Sequence, residues 1–260
     1  MVKLCANLSM LYNEINFLDR FEAAAKAGFR GVEFQFPYDV DKQQIADRLA
    51  ANGLTQVLHN LPAGDWSAGE RGLAVLPDRV GEFQESVGTA IDYAMAFGCR
   101  QLNCLAGIAP PAADADKLRE TLVNNLRFAA DQLAGAGISL LVEAINTRDM
   151  PGFYLNGTQQ TLALIDAVER DNIFLQYDIY HMQVMEGDLA MTMQKHLPRI
   201  GHIQLADNPG RHEPGSGEIH YPFLLDMLDN SGYTGWIGCE YRPQAGTDQG
   251  LAWASRYLSN

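Results

Sequence analysis

Short apolar runs alternate with longer amphipathic stretches eight times along this chain. That alternation limits the fold more than any other feature. A run of roughly four to eight apolar residues reads as a strand buried on both faces, and a longer period-3.6 stretch reads as a helix. Strand–helix alternation in turn requires parallel neighbours joined by helical crossovers. The expected strands cover residues 2–8, 31–36, 54–59, 101–105, 138–143, 173–178, 200–205 and 235–240. The expected helices cover 17–27, a face carrying Ile45, Ala46 and Leu49, then 80–97, 117–133, a helix capped by Thr158 and ending at 168, 189–196, 222–228 and 250–258. Gly28, Gly53 and Gly98 stand where helices should stop. Eight such units in 260 residues predict an α/β chain closed into one (β/α)8 TIM barrel, a single domain over residues 1–260. An open doubly wound sheet would want a glycine-rich phosphate loop after an early strand, and neither a GxGxxG nor a Walker pattern occurs.

The formal charge is −13, with no run of Lys or Arg, so a polyanion is repelled and nucleic acid is not an expected partner. No apolar run approaches the ~20 residues of a membrane span, so no membrane partner is expected. The first residues enter a strand-like pattern without the marks of a secretory signal, which predicts a cytoplasmic location. Cys5, Cys99, Cys104 and Cys239 form no CxxC pair and read as small buried hydrophobes in a reducing compartment.

Barrel enzymes carry their chemistry at the C-terminal ends of the strands. Four consecutive strands here run into an oxygen acceptor: strand five into Glu143, six into Asp178, seven into Gln204 and eight into Glu240. Three carboxylates around one axis repel each other and are costly to bury unless paired or bound to a cation. One divalent metal held by all four resolves the repulsion, and an oxygen-rich donor set suits Mg²⁺, with Mn²⁺ as the alternative. Such an ion, with Glu143 and Glu240 as acid/base pair, suits proton transfer between adjacent carbons through an enediolate. His181, three residues after Asp178, and Arg211, in the long loop after strand seven, are expected to contact substrate. His59 at the end of strand three and Arg71 in the loop of residues 60–77 are further substrate-binding candidates. His202 is expected to be structural, Asn7 and Gln35 either to support the ligands or to be structural, and Trp66 and Trp236 to be cleft walls or core.

The segments around these residues resemble one family over the whole chain. They are Ala6-Asn7-Leu8-Ser9-Met10-Leu11, Gly31-Val32-Glu33-Phe34, His59-Asn60-Leu61-Pro62-Ala63-Gly64-Asp65-Trp66, Tyr177-Asp178-Ile179-Tyr180-His181-Met182, Gln204-Leu205-Ala206-Asp207-Asn208-Pro209 and Gly235-Trp236-Ile237-Gly238-Cys239-Glu240-Tyr241. The chain resembles the xylose-isomerase-like barrel superfamily and, within it, the hydroxypyruvate isomerase family. The resemblance implies interconversion of hydroxypyruvate and 2-hydroxy-3-oxopropanoate (tartronate semialdehyde), a small anionic hydroxy-oxo acid. It also implies the same roles for Glu143, Asp178, Gln204 and Glu240, and by analogy a homo-oligomer. The related 2-oxo-tetronate isomerases are the alternative. Ketose 3-epimerases usually have His where this chain has Gln204, which counts against epimerisation. Abasic-site endonucleases of this fold hold three zinc ions and need histidines that this chain lacks. A non-catalytic binding barrel is disfavoured by the complete set of four ligands.

Overall fold

The computed structural model describes residues 1–258. Eight parallel strands close into a barrel in sequence order: β1 Lys3–Asn7, β2 Gly31–Glu33, β3 Thr55–Asn60, β4 Gln101–Cys104, β5 Ser139–Glu143, β6 Ile173–Asp178, β7 Ile200–Leu205 and β8 Trp236–Cys239. β8 pairs back onto β1, with Leu4 opposite Ile237, so neither end leaves an open edge. The helices outside are α1 Arg20–Lys26, α2 Lys42–Ala51, α3 Val80–Phe97, α4 Ala115–Gly135, α5 Thr158–Val168, α6 Ile179–Met185, α7 Leu189–His196 and α8 Tyr221–Asn230.

Local chemistry sets these boundaries. Asp41 and Asp114 cap α2 and α4 by accepting backbone N–H bonds from the first turn. Gly98 ends α3 with φ +67°, the left-handed conformation that costs glycine least. The main apolar core lies between strands and helices, where outward strand residues such as Leu102, Leu140 and Ile203 are fully buried. Inside the barrel, Cys5, Val57, Leu58 and Leu141, with Phe174 and Trp236, fill the floor, so Trp236 is core and not a cleft wall. Above that floor the interior is polar, which is unusual for a barrel centre and marks the end where chemistry sits.

Four expectations need correction. β2 stops at Glu33 and not at 36, because its register on β3 shifts after Val32 and the Gln35 N–H turns to Ser9 Oγ. Thr158 is the first residue of α5, not its cap, and its N–H and hydroxyl both donate to Glu186. The helix expected at 17–27 begins as a 3-10 turn, Phe17–Asp19, and the closing segment is a 3-10 helix, Gln249–Ala254. α6 follows β6 directly and had no counterpart in the expected elements.

Candidate active site

Glu143 and Asp178 are the last residues of β5 and β6, Gln204 is next to last in β7, and Glu240 follows β8. Asp178 lies opposite Gln204, and Gln204 lies opposite Gly238, two residues before Glu240. Side chains two apart on a strand share a face, so all four point into the mouth of the barrel. Donor atoms of Glu143, Asp178, His181 and Glu240 lie within 4.8 Å of one another. Around them opens a cleft of about 930 Å³, lined by Asn60, Trp66, Arg71, Arg148, Arg211 and Arg242 among others.

Each carboxylate is buried and has its own support. Glu143 accepts from Asn103 Nδ2 at 2.9 Å. Glu240 accepts from Gln35 at 3.0 Å, from Asn7 at 3.2 Å and from Arg211 at 2.5 Å. Asn7 and Gln35 therefore orient an expected ligand. Asp178 spends Oδ1 capping α6 through the N–H groups of Tyr180 and His181. Its Oδ2 is buried without a hydrogen-bond partner among the described residues, and Arg211 stands 3.6 Å away. Burial drives all three carboxyls above their ordinary range. For Glu143 the charges of Glu240 and Asp178 add to that rise, while Arg211 opposes it at all three. One arginine shared by three buried carboxyl groups leaves room for further positive charge beside Asp178 Oδ2. The donor set fits a divalent ion.

His181 is oriented by a chain of bonds. The Asp149 N–H donates to Asn146 Oδ1, which fixes that amide, so Asn146 Nδ2 donates to His181 Nδ1 at 2.7 Å. The network thereby assigns the ring proton to Nε2, which faces Asp178 Oδ2 at 3.5 Å and Glu143 Oε1 at 3.9 Å. Burial, then Arg211, lowers the His181 pKa to about 3, so the ring is neutral at pH 7. A neutral imidazole with Nε2–H pointing inward is a hydrogen-bond donor to the cleft and has no lone pair there for a metal.

The long loop after β7 is pinned by Asp207. Its carboxylate accepts four backbone N–H bonds, from Asn208, Gly215, Gly217 and Ile219. Arg211, at φ +58°, is thereby held over the carboxylates, and its carbonyl receives the Arg242 N–H. Arg71 lies 4.0 Å over the Trp66 ring and donates to the Trp66 and Glu70 carbonyls, placing both side chains at the cleft rim.

His59 is not brought to the cleft, contrary to expectation. Side chains alternate along a strand, and in β3 it is Asn60 that faces inward. His59 is fully buried on the outside of the barrel against Phe34, Tyr38 and Phe97. Gln204 is buried just below the cleft. Its Nε2 donates to Glu33 Oε1 at 2.8 Å and its Oε1 accepts from Gln176 at 2.6 Å. Glu33, Asn103, Asn146, Arg148 and Arg242 were not singled out from the sequence. Glu33 ends a strand in an acid, the same signal that found Glu143, Asp178 and Glu240, and was hidden only because β2 stops early. His202 is structural as expected, donating to Glu33 at 2.7 Å.

The sequence profile of the family described as xylose isomerase-like TIM barrel matches residues 21–257. A hydroxypyruvate isomerase of Escherichia coli K12 is 54% identical over 257 residues, 99% of this chain and 100% of its own length. A 2-oxo-tetronate isomerase of Cupriavidus necator is 50% identical over 258 residues, 99% of each chain. A solved structure from Brucella melitensis, described as a family 2 AP endonuclease, superposes with a TM-score of 0.98 at 47% identity, covering 100% of both chains.

Proposed function

Because the chain belongs to the xylose isomerase-like TIM barrel family, we propose that it interconverts hydroxypyruvate and 2-hydroxy-3-oxopropanoate in the cleft above Glu143, Asp178, Gln204 and Glu240. The observation that carries this reading is the cluster of three buried carboxylates, with Asp178 Oδ2 left without a hydrogen bond among the described residues and only the shared Arg211 near it. Those four residues would hold one divalent ion, Mg²⁺ or Mn²⁺. When bound, the ion supplies Lewis-acid stabilisation of negative charge on the substrate oxygens.

The remaining work falls to the chain's own groups. A glutamate of the Glu143/Glu240 pair takes a proton from C3 of hydroxypyruvate, and the pair returns a proton to C2. The hydroxyl proton passes from O3 to O2, so the isomers balance without a redox partner. His181 Nε2–H donates to a substrate oxygen. Arg211, already committed to Glu240 and Asp178, offers its remaining N–H groups, and Arg71 closes the rim. Arginines at the mouth of a chain of net charge −13 favour a small anion over a polyanion. That charge also weighs against a nuclease reading.

The 50% identity to a 2-oxo-tetronate isomerase supports a second reading, in which the substrate is the longer acid. A coupled isomerase assay on both acids, with and without chelator, decides between them. Hydroxypyruvate turnover that chelation stops and Mg²⁺ or Mn²⁺ restores is expected. Turnover of the four-carbon acid alone, or turnover indifferent to metal, overturns the substrate or the metal respectively.

A further inference from the structure

Beneath the cleft lies a second buried acid, Glu33, 1% exposed and without contact to the cleft. Its carboxylate receives four donors, two on each oxygen. Asn7 Nδ2 and Gln204 Nε2 donate to Oε1 at 2.9 and 2.8 Å, and His202 Nε2 and Cys5 Sγ to Oε2 at 2.7 and 3.3 Å. An ionised carboxylate offers about four acceptor positions, so Glu33 is saturated. The trio Cys5, Glu33 and His202 has the proximity of a metal site, but Cys5 Sγ and His202 Nε2 each already donate a hydrogen to the acid. Space is also reserved for Glu33: a Cβ on Gly238 would sit 2.3 Å from Oε1 and 2.4 Å from Oε2.

We propose that Glu33 is a positioning residue that turns the Gln204 amide so that its oxygen, not its nitrogen, is presented as a metal donor. The inference rests on the metal-site reading above. A side-chain amide can flip by half a turn, and only its oxygen ligates a hard cation. Glu33 accepts and cannot donate, so it selects the orientation with Nε2 downward. Gln204 Oε1 then faces the opposite side, where Gln176 takes one lone pair and the second stays available. Asn7 extends the same control to a second ligand, because its Nδ2 bridges Glu33 and Glu240 Oε1. Burial alone would raise the Glu33 carboxyl, but His202, Gln204 and Asn7 outweigh it and hold the group below its ordinary range.

Mn²⁺ affinity, measured calorimetrically on chelator-stripped full-length protein, tests this without reference to turnover. Glu33→Gln replaces an acceptor oxygen by an NH₂ that opposes the Gln204 NH₂. Affinity is expected to fall about 10–100-fold, the usual cost of losing a partner that orients a ligand. In the double variant Glu33→Gln/Gln204→Glu the polarity is exchanged. Gln at 33 donates to Glu at 204, whose other oxygen faces the ion, and affinity should return to within about threefold of wild type. A merely structural role would lower Tm but would not be rescued by that exchange. Wild-type protein that binds no Mn²⁺ sinks the metal reading itself. Wild-type binding with Glu33→Gln within twofold of it overturns the role of Glu33 alone. Should Glu33→Gln not fold, the double variant decides: affinity near wild type supports the inference, and a loss of 100-fold overturns it.

Discussion

Among the described residues, Arg211 is the lone arginine or lysine bonded within the three-carboxylate cluster, so the metal-free protein should depend on it heavily. Its guanidinium lies 2.5 Å from Glu240 and 3.6 Å from Asp178, with 14% of the side chain exposed. Even the longer contact carries a gross attraction of about 5 kcal/mol at an effective dielectric of ~20. Arg211→Met keeps the bulk and deletes the charge. Removing one partner of a buried ion pair costs about 3–5 kcal/mol, because the other is left uncompensated. At ~2–4 °C per kcal/mol for a chain of this size, Tm in chelator should drop by roughly 6–20 °C.

The sign of the pH dependence follows from the raised carboxyls. A group whose folded pKa lies above its unfolded value contributes stability below the unfolded value, near 4, and loses it as pH rises through the folded one. Arg211 opposes that rise at Glu143, Asp178 and Glu240. The deficit of Arg211→Met relative to wild type should therefore be larger at pH 8 than at pH 5.5, because raised carboxyls take protons sooner as pH falls. Thermal melts in chelator at both pH values, then with divalent metal added, measure this. Metal at about 100 times its Kd should return roughly 2.7 kcal/mol. A Tm within about 2 °C of wild type at pH 8 in chelator would refute the view that these carboxyl groups depend on the charge of Arg211.

Glu143→Gln and Glu240→Gln should each cut turnover by at least about 10²–10⁴-fold. The metal-free Tm of Glu143→Gln should hold or rise, because one of three mutually repelling carboxylates is gone, whereas Glu240→Gln also strips Arg211 of its bonded partner and should lower it, so activity and melts are read on the same samples. His59, whose ring nitrogens have no hydrogen-bond partner among the described residues, is held neutral by burial with its pKa lowered to about 3. A lowered His pKa contributes stability above the unfolded value, near 6.5, and loses it as pH falls toward 3. His59→Leu should stay within ~1 kcal/mol of wild type at pH 7.5 and gain on it in urea titrations as pH falls below about 6.5. A gap that does not change with pH would show that His59 is not the group responsible.

The strand ends were legible because burial and charge conflict there in a way sequence displays: an apolar run stopping at an acid. The same rule applies to Glu33, but the apolar pattern runs on to Phe36 while a register shift after Val32 ends β2 at Glu33. His59 and Asn60 illustrate a different limit. Adjacent strand residues face opposite ways, and which of the two faces inward depends on barrel register, not on composition. α6 escaped because Asp178 does two things at once, capping a helix with one oxygen and facing the Glu143–Glu240 cluster with the other. The orientation of the Gln204 amide is set by Glu33, 171 residues away in sequence, and no local pattern carries it.

A crystal equilibrated with Mn²⁺ and measured by anomalous diffraction tests the metal site most directly. One peak is expected at the mouth of the barrel, with oxygens of Glu143, Asp178, Gln204 and Glu240 at roughly 2.0–2.6 Å. A peak ligated by His181 Nε2 in place of Gln204, or no peak among these four side chains, would contradict the account.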